Sequence, residues 1–407
     1  MKKRLIIIGG GPAGFFCAAN AAGANPGLEV IILEKSEKVL TKLKLSGGGR
    51  CNLTNGFLDP SETARQYPRG SRFMKKALYL FSASDTVRWF EERGVKIKQE
   101  SDGRMFPATD SSQTIVDCLL EECRDRGVQW IVKKGVSRLE AEGRRWTVGL
   151  EGESLESDFV CVACGGYPSE DLYAWLSMLG HSIVEPVPSL FTFHMPGNPI
   201  TSLMGVSLQD ASVRVAGTRH LERGPLLITH WGLSGPAVLH LSAWGAREMA
   251  AARYDFKVVV NWVPAMDEET LRALLHSSRQ GQPARKIRNA NPPGLPQRLW
   301  EYQLHRSGID PEIRWGDLPG REMKRLIANL SSQELAVHGK TAFKEEFVTA
   351  GGVELGEVDP TTMMSKRLPG LFFAGEVLDV DGITGGFNLQ HAWTSGFIAG
   401  TSIAQRA

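Results

Sequence analysis

The chain has 407 residues, 42% hydrophobic and 23% charged, enough to bury a large core in two or three domains and to exclude a disordered or fibrous class. A formal net charge of +2 supplies no overall field for or against nucleic acid, so local patches decide that question. No stretch approaches the roughly 20 apolar residues of a membrane span, and the N-terminal apolar run is too short for a signal peptide, so a cytoplasmic protein without a membrane partner is expected.

Leu5 to Ile8 is a continuous apolar run, the pattern of a strand buried on both faces of a parallel sheet. Gly9, Gly11 and Gly14 follow at GxGxxG spacing: the first permits a tight turn, the second lets backbone approach a pyrophosphate, and the third lets the helix pack on the strand. A helix opens at Pro12 and Ala13 and runs to about Ala22, its free N–H groups aimed at phosphate. The strand Glu29 to Leu33 ends at Glu34 and Lys35, with the Glu34 carboxylate twenty residues beyond Gly14, where it would accept ribose hydroxyls and disfavour a 2′-phosphate.

A second glycine-rich run spans Lys42, Ser46, Gly47, Gly48, Gly49, Arg50, Cys51, Asn52 and Thr54 to Asn55, a flexible backbone studded with hydrogen-bonding groups suited to a polar cofactor. Helices are expected over 71–93, with a basic cluster of Arg65, Arg69, Arg72, Lys75 and Lys76. Asp102 to Pro107, containing Arg104, reads as a turn and a short extended segment, and Ser112 to Arg126 as an amphipathic helix. Strands are expected at Val128 to Val132, Val136 to Glu140, Trp146 to Leu150 and Phe159 to Ala163, the last leading into Gly165. Cys161 and Cys164 form the one CxxC, but it lies in this apolar strand, so packing is expected there and neither a disulfide framework nor a metal site.

From Ser189 short strands follow: Leu190 to His194, Ser207 to Val215, Leu226 to Thr229 and Phe256 to Asn261, the pattern of an antiparallel sheet or barrel. Between them His230 stands at a strand end before a glycine turn and a helix, where it could donate a proton. Helices at Asp267 to Leu275, Leu295 to Leu304 and Glu322 to Leu330 carry a second basic patch of Arg279, Arg285, Lys286 and Arg288. The strand Phe347 to Gly352 and the buried run Leu371 to Ala374 precede Gly375, Glu376 and Asp379, then Gly385, Gly386, Phe387, Asn388 and Gln390 open a closing helix. An acid after a strand and a Gly-Gly turn into a helix suit ribityl hydroxyls and flavin oxygens.

The chain resembles the bacterial two-dinucleotide-fold flavoproteins of the BaiN and YhiN type, a group of NAD(P)/FAD-dependent oxidoreductases. The motifs that carry the resemblance are Gly9–Gly14 with Glu34, SGGGRCNLTN from Ser46, GRMFP from Gly103, THWGLSGPAVL from Thr229, TAGGV from Thr349 and GEVLDVDGITGGFNLQ from Gly375. It implies an α/β fold: a discontinuous glutathione-reductase-like FAD-binding Rossmann domain over 1–188 and 340–407, a β-rich barrel-like cap over 189–266 and 326–339, and a small helical subdomain over 267–325. Val136, Ala163 and Gly165 join the residues expected to line FAD. The loop after Gly166 is shorter than the family's usual Gly/Ser-rich stretch, which bears on substrate access.

Bound FAD would supply the redox chemistry for reducing a polarised C=C bond, with NAD(P)H as transient reductant, since no second GxGxxG with a following acid appears. Cys51, Arg50, His230 and Arg104 are the candidates for acid and electrophilic stabiliser, with Arg50 expected to lower the Cys51 pKa. Members of the family are linked to unsaturated steroid-like acids and to the uracil ring of ribosomal RNA. Three readings stand: a small-molecule C=C reductase, an RNA-modifying reductase forming dihydrouridine, and a non-catalytic flavin-binding module. No obligate protein partner is indicated, and no aromatic-basic interleaving stands out for RNA.

Overall fold

The computed structural model describes residues 2–57, 59–143, 145–341 and 348–407. Phe347, where the sequence reading opens its TAGGV strand, lies outside them. The chain divides into two compact units, Met1–Ser189 with Phe343–Ala407, and Leu190–Ala342.

In the first unit the apolar run becomes strand β1 (Arg4–Ile8), with Leu5, Ile6 and Ile7 fully buried. It is central because both of its faces are apolar. The five-stranded parallel sheet runs Leu371–Phe373, Phe159–Val162, β1, β2 (Glu29–Leu33), Gln129–Ile131. Register places Ile7 between Ile32 and Cys161, so the CxxC strand is core. A hydrogen bond with the Cys161 thiol, together with burial, holds the Cys17 pKa well above its ordinary value.

Helix α1 (Pro12–Ala24) covers this sheet and is crossed by the C-terminal helix Phe387–Arg406. The crossing is close because two glycines face α1. A Cβ on Gly396 would stand 2.8 Å from the Ala13 carbonyl oxygen, and one on Gly400 2.4 Å from that of Cys17. Backbone cannot yield as a side chain can, so Gly400→Leu is expected to lower stability by about 3 kcal/mol in urea unfolding. A loss below about 1 kcal/mol would show that the helices separate freely.

Three smaller antiparallel sheets complete the unit: Thr54–Asn55 with Arg104–Pro107 and Ile97–Gln99; Arg138–Glu142 with Arg145–Gly149 and Ser154–Ser157; and Ile183–Ser189 with Val348–Val353. Thr54–Asn55, Ile97–Gln99, Ser154–Ser157 and Ile183–Ser189 are not among the expected strands. The last carries Pro186 and Pro188, ordinarily strand breakers, and is accommodated by a register shift between Val184 and Val187. The run at Ser46 is not an open loop: Thr41–Leu45 is helical and Ser46–Gly49 a 3-10 turn, with Gly47 and Gly48 left-handed.

The second unit is a seven-stranded antiparallel sheet that closes on itself. The stretch Gln333–Thr341, broken at Gly339 (φ 116°), pairs through Gln333–His338 with Asp255–Asn261 and through Lys340–Thr341 with Thr192–His194. The expected strand from Leu190 begins only at Thr192, because Leu190 takes a left-handed φ of 57°. The expected strand from Leu226 begins at Leu221, its Gly224-Pro225 pair absorbed by a register shift opposite Leu208–Ala211. Helices Glu268–Gly281, Gln297–Arg306 and Gly320–Ser331 share one core with this sheet, Leu271, Trp300 and Leu326 packing with Val258 and Trp262. The buried Gln333 joins the two layers, its Oε1 accepting from Trp262 Nε1 and Gln303 Nε2 at 2.7 Å each.

Candidate functional site

The three glycines of the first turn do different work. Gly9 has φ 114°, and a Cβ there would meet the Ala163 carbonyl oxygen at 2.4 Å; a Cβ on Gly14 would meet the Gly9 carbonyl at 2.1 Å. Those two permit packing. A Cβ on Gly11 would meet nothing within 4 Å, so the backbone there borders open space. Helix α1 starts at that point with no side-chain cap and no acid in its first turn, leaving an electropositive helix end. Glu34 closes the turn, accepting from the Gly10 N–H and the Ser36 N–H at 2.8 Å each. Lys35 is exposed with its ammonium 5.3 Å from the Tyr167 ring, and Val136 is half-buried just before the strand Arg138–Glu142.

The two motif blocks expected around the far end of the cofactor are joined to each other. Thr54 Oγ1 donates to Gln390 Oε1, Asn55 Nδ2 donates to the Gly385 carbonyl at 3.0 Å, and Trp393 Nε1 donates to the Leu53 carbonyl at 2.9 Å. Asn52, with its amide oxygen toward Gly386, accepts from that N–H at 3.0 Å. A Cβ on Gly386 would fall 2.6 Å from Thr54 backbone, which requires glycine there. Thr54 and Gln390, expected as cofactor contacts, are fully buried and bonded to one another, so their side chains align the blocks and do not face a ligand. Asn388 likewise turns back, bonding both the N–H and the carbonyl of Gly382. The C-terminal helix begins at Phe387 beyond Gly386 (φ 95°) with no side-chain cap and no first-turn acid, a second electropositive end.

Behind this loop lies a buried ion pair that sequence reasoning missed. Arg69 donates from Nε and from Nη2 to the two carboxylate oxygens of Asp381, and Ser189 Oγ donates to Asp381 at 2.7 Å. Tyr67 OH donates to the Phe387 carbonyl at 2.8 Å. Asp381 stands in the expected block, but nothing local marks a partner 312 positions away. Glu376, expected to face ribityl hydroxyls, accepts from Lys42 Nζ at 3.0 Å and from the Thr349 N–H at 2.9 Å. Asp379 is half-buried nearby in sequence, and Gly375 donates its N–H to Ser395 Oγ at 2.9 Å.

The expectation for Cys51 and Arg50 needs correction. Cys51 is fully buried, and burial pushes its thiol up to about 12, against a lowering contribution from a hydrogen bond with Ser46. Arg50 does not lower it: the guanidinium reaches Glu100 at 2.7 Å and lies 4.0 Å from the Phe106 ring centroid. Arg104 binds Asp102 and Glu100 on the same three-stranded patch. His230 belongs to the second unit, exposed on the turn Thr229–Gly232, its ring 4.2 Å from that of Trp231.

Two buried histidines also escaped the sequence reading. His181 bonds Glu357 through Nδ1 at 2.9 Å and Ser365 through Nε2 at 3.2 Å; burial lowers its pKa, and Glu357, despite its own desolvation, is held down to about 2 by bonds from Arg367, Ser182 and His181. His391, in the second turn of the C-terminal helix, is 2% exposed, with no hydrogen-bond partner for Nε2 among the described residues and a pKa lowered by burial to about 3. The unfolded imidazole takes up a proton near pH 6.5 and the folded one does not, so stability present above 6.5 is lost as pH falls toward 3. Through His391 alone the loss is about 1.4 kcal/mol per pH unit. His391→Phe is expected to remove that much slope between pH 6 and 4 in urea unfolding; an unchanged slope would contradict the burial argument.

The model of the HI0933-like protein Rossmann domain matches residues 3–402. The chain belongs to this family. HI0933-like proteins of this BaiN and YhiN type are FAD-binding oxidoreductases, and the chain is an enzyme of that class. It is 34% identical over 404 residues to a ribosomal RNA dihydrouridine synthase of Escherichia coli K12, covering 96% of this chain and 95% of that one. It is 30% identical over 412 residues to a 3-dehydro-bile acid delta(4,6)-reductase of Clostridium scindens, covering 99% and 100%. In fold it resembles the 3-ketosteroid-delta4-(5alpha)-dehydrogenase of Rhodococcus jostii RHA1, with TM-score 0.54, 14% identity and coverage of 99% and 97%. The HI0933-like site fits an extended dinucleotide: open backbone at Gly11, a carboxylate at the end of β2, and two uncapped helix starts. No helix among the described residues is long and apolar enough to cross a membrane.

Proposed function

We propose that the protein reduces a polarised C=C bond, drawing electrons from NAD(P)H. Two relatives that match nearly the whole chain carry this reading, since one is named as a delta(4,6)-reductase and the other as a dihydrouridine synthase, both names of reactions that saturate a ring C=C. Bound FAD supplies the hydride-transfer chemistry.

The chain's own groups do the rest. Gly11 and the start of α1 would take the diphosphate, and Glu34, held by the Gly10 N–H, would accept ribose hydroxyls. Gly385 and Phe387, at the uncapped start of the C-terminal helix, would offer backbone N–H groups to the flavin, the Gly386 N–H being held by Asn52. A neutral Cys51 thiol, fully enclosed, contributes packing and not acid catalysis. Six free cysteines, five of them buried, accord with a reducing cytoplasm.

The test is anaerobic bleaching of the flavin by NADH and by NADPH, followed by reoxidation with a cyclic enone or a uridine-containing RNA. A reduced protein that neither acceptor reoxidises would sink the proposal.

A further inference from the structure

We infer that the outer face of the helix Ser71–Leu78 and the short helix before it is a docking surface for single-stranded RNA. The inference rests on the C=C reductase reading and specifies its substrate class. Phe73, Met74, Ala77 and Leu78 are buried, while Arg72, Lys75, Lys76 and Tyr79 are exposed at i, i+3, i+4 and i+7, one face of a helix. Tyr79 is 63% exposed. Ser71 Oγ donates to the Ala64 carbonyl at 2.7 Å and Ser61 Oγ lies 3.1 Å from Tyr79 OH, which sets Pro60–Ala64 alongside and adds Arg65 to the strip.

These cations are not arranged for the fold's own benefit. Among the described residues no ion pair involves Arg65, Arg72, Lys75 or Lys76. The acids here are Asp59, which caps the Ser61 N–H at 2.8 Å, and Glu62. Lys75 and Lys76 suit the negative end of their helix, but Arg72 sits in its first turn, where a cation is unfavourable. The other basic patch differs: Lys286 and Arg288 both bind Glu312, and Arg288 also lies 3.9 Å from Glu301. An unneutralised strip ending in an exposed ring matches phosphates on cations and a base stacked on tyrosine. The linker between the two helices meets the Gly375–Gln390 block, through Tyr67 on Phe387, Arg69 on Asp381 and Gly70 against Val380.

The holoenzyme is titrated against a short fluorescein-labelled uridine-rich RNA at several salt concentrations, reading anisotropy. Combined Arg72→Gln, Lys75→Gln and Lys76→Gln should flatten the log-log salt dependence by about 2, at roughly 0.7 per contact for single strands, and Tyr79→Ala should weaken binding about tenfold. FAD content and turnover of a small cyclic enone should be unchanged in both. An unaltered salt slope and affinity in the triple variant would overturn the inference, as would binding to phosphatidylserine vesicles but not to RNA. Failure of the reduced, unmodified enzyme to be reoxidised by either the enone or the RNA would instead sink the reductase reading, with anisotropy alone deciding the docking surface.

Discussion

Gly11→Val is expected to leave the apoprotein folded and to lower FAD affinity by about 100-fold, close to 3 kcal/mol. The backbone at Gly11 has φ −89° and ψ −175°, which valine adopts without strain, and a Cβ there meets no protein atom within 4 Å. The open space is where a diphosphate would approach the start of α1, so the isopropyl group excludes the ligand and nothing else. Gly9→Val and Gly14→Val should behave oppositely, because their Cβ atoms would overlap backbone oxygens at 2.4 and 2.1 Å. They should fail to fold. Thermal melting of the apoprotein with quenching of FAD fluorescence separates the cases; a Gly11→Val protein that keeps full FAD affinity would move the diphosphate away from this turn.

Asp381→Ala is expected to cost about 3–5 kcal/mol, because the Arg69 guanidinium is left in place without its carboxylate. The pair is not a simple stabiliser. Burial raises the Asp381 pKa and outweighs the lowering by Arg69, so ionising this group is harder in the folded protein than in the unfolded chain. Through Asp381 alone, stability is therefore greatest below the ordinary aspartate pKa and falls as pH rises through the folded value. Replacing both partners, Arg69→Met with Asp381→Leu, should be markedly less damaging than Asp381→Ala. The pair's service is geometric: it ties Arg69 and Ser189 to the loop that leads into the C-terminal helix. Asp381→Ala should accordingly weaken FAD binding as well as stability. Equal stabilities of the single and double variants would contradict this account.

What was legible in the sequence was local. The apolar run of β1, the glycine spacing and Glu34 lie within about thirty residues, and each has a role fixed by backbone geometry or by distance along the chain. Glycine density likewise marked the Ser46 and Gly375 blocks, but not that Thr54 and Gln390 would spend their polar groups on each other across 336 positions. The Cys51 reading failed for a related reason. Adjacency of Arg50 suggested a lowered thiol pKa, yet the guanidinium turns to Glu100 and Phe106 and the thiol meets an enclosed interior. Prolines concealed the strand Ile183–Ser189, since a tolerated bulge leaves no sign in composition. Tyr79 joined the basic strip only when helix periodicity was set beside burial.

The central claim is that this chain holds FAD along the path from Gly11 to the start of the C-terminal helix and uses it for reduction. The most direct measurement is the visible spectrum of the purified protein, recorded with and without added FAD and then under anaerobic NADH or NADPH. The account predicts a stoichiometric flavin spectrum that releases FAD on denaturation and bleaches with one of the two donors. A colourless protein that takes up no added FAD would contradict it.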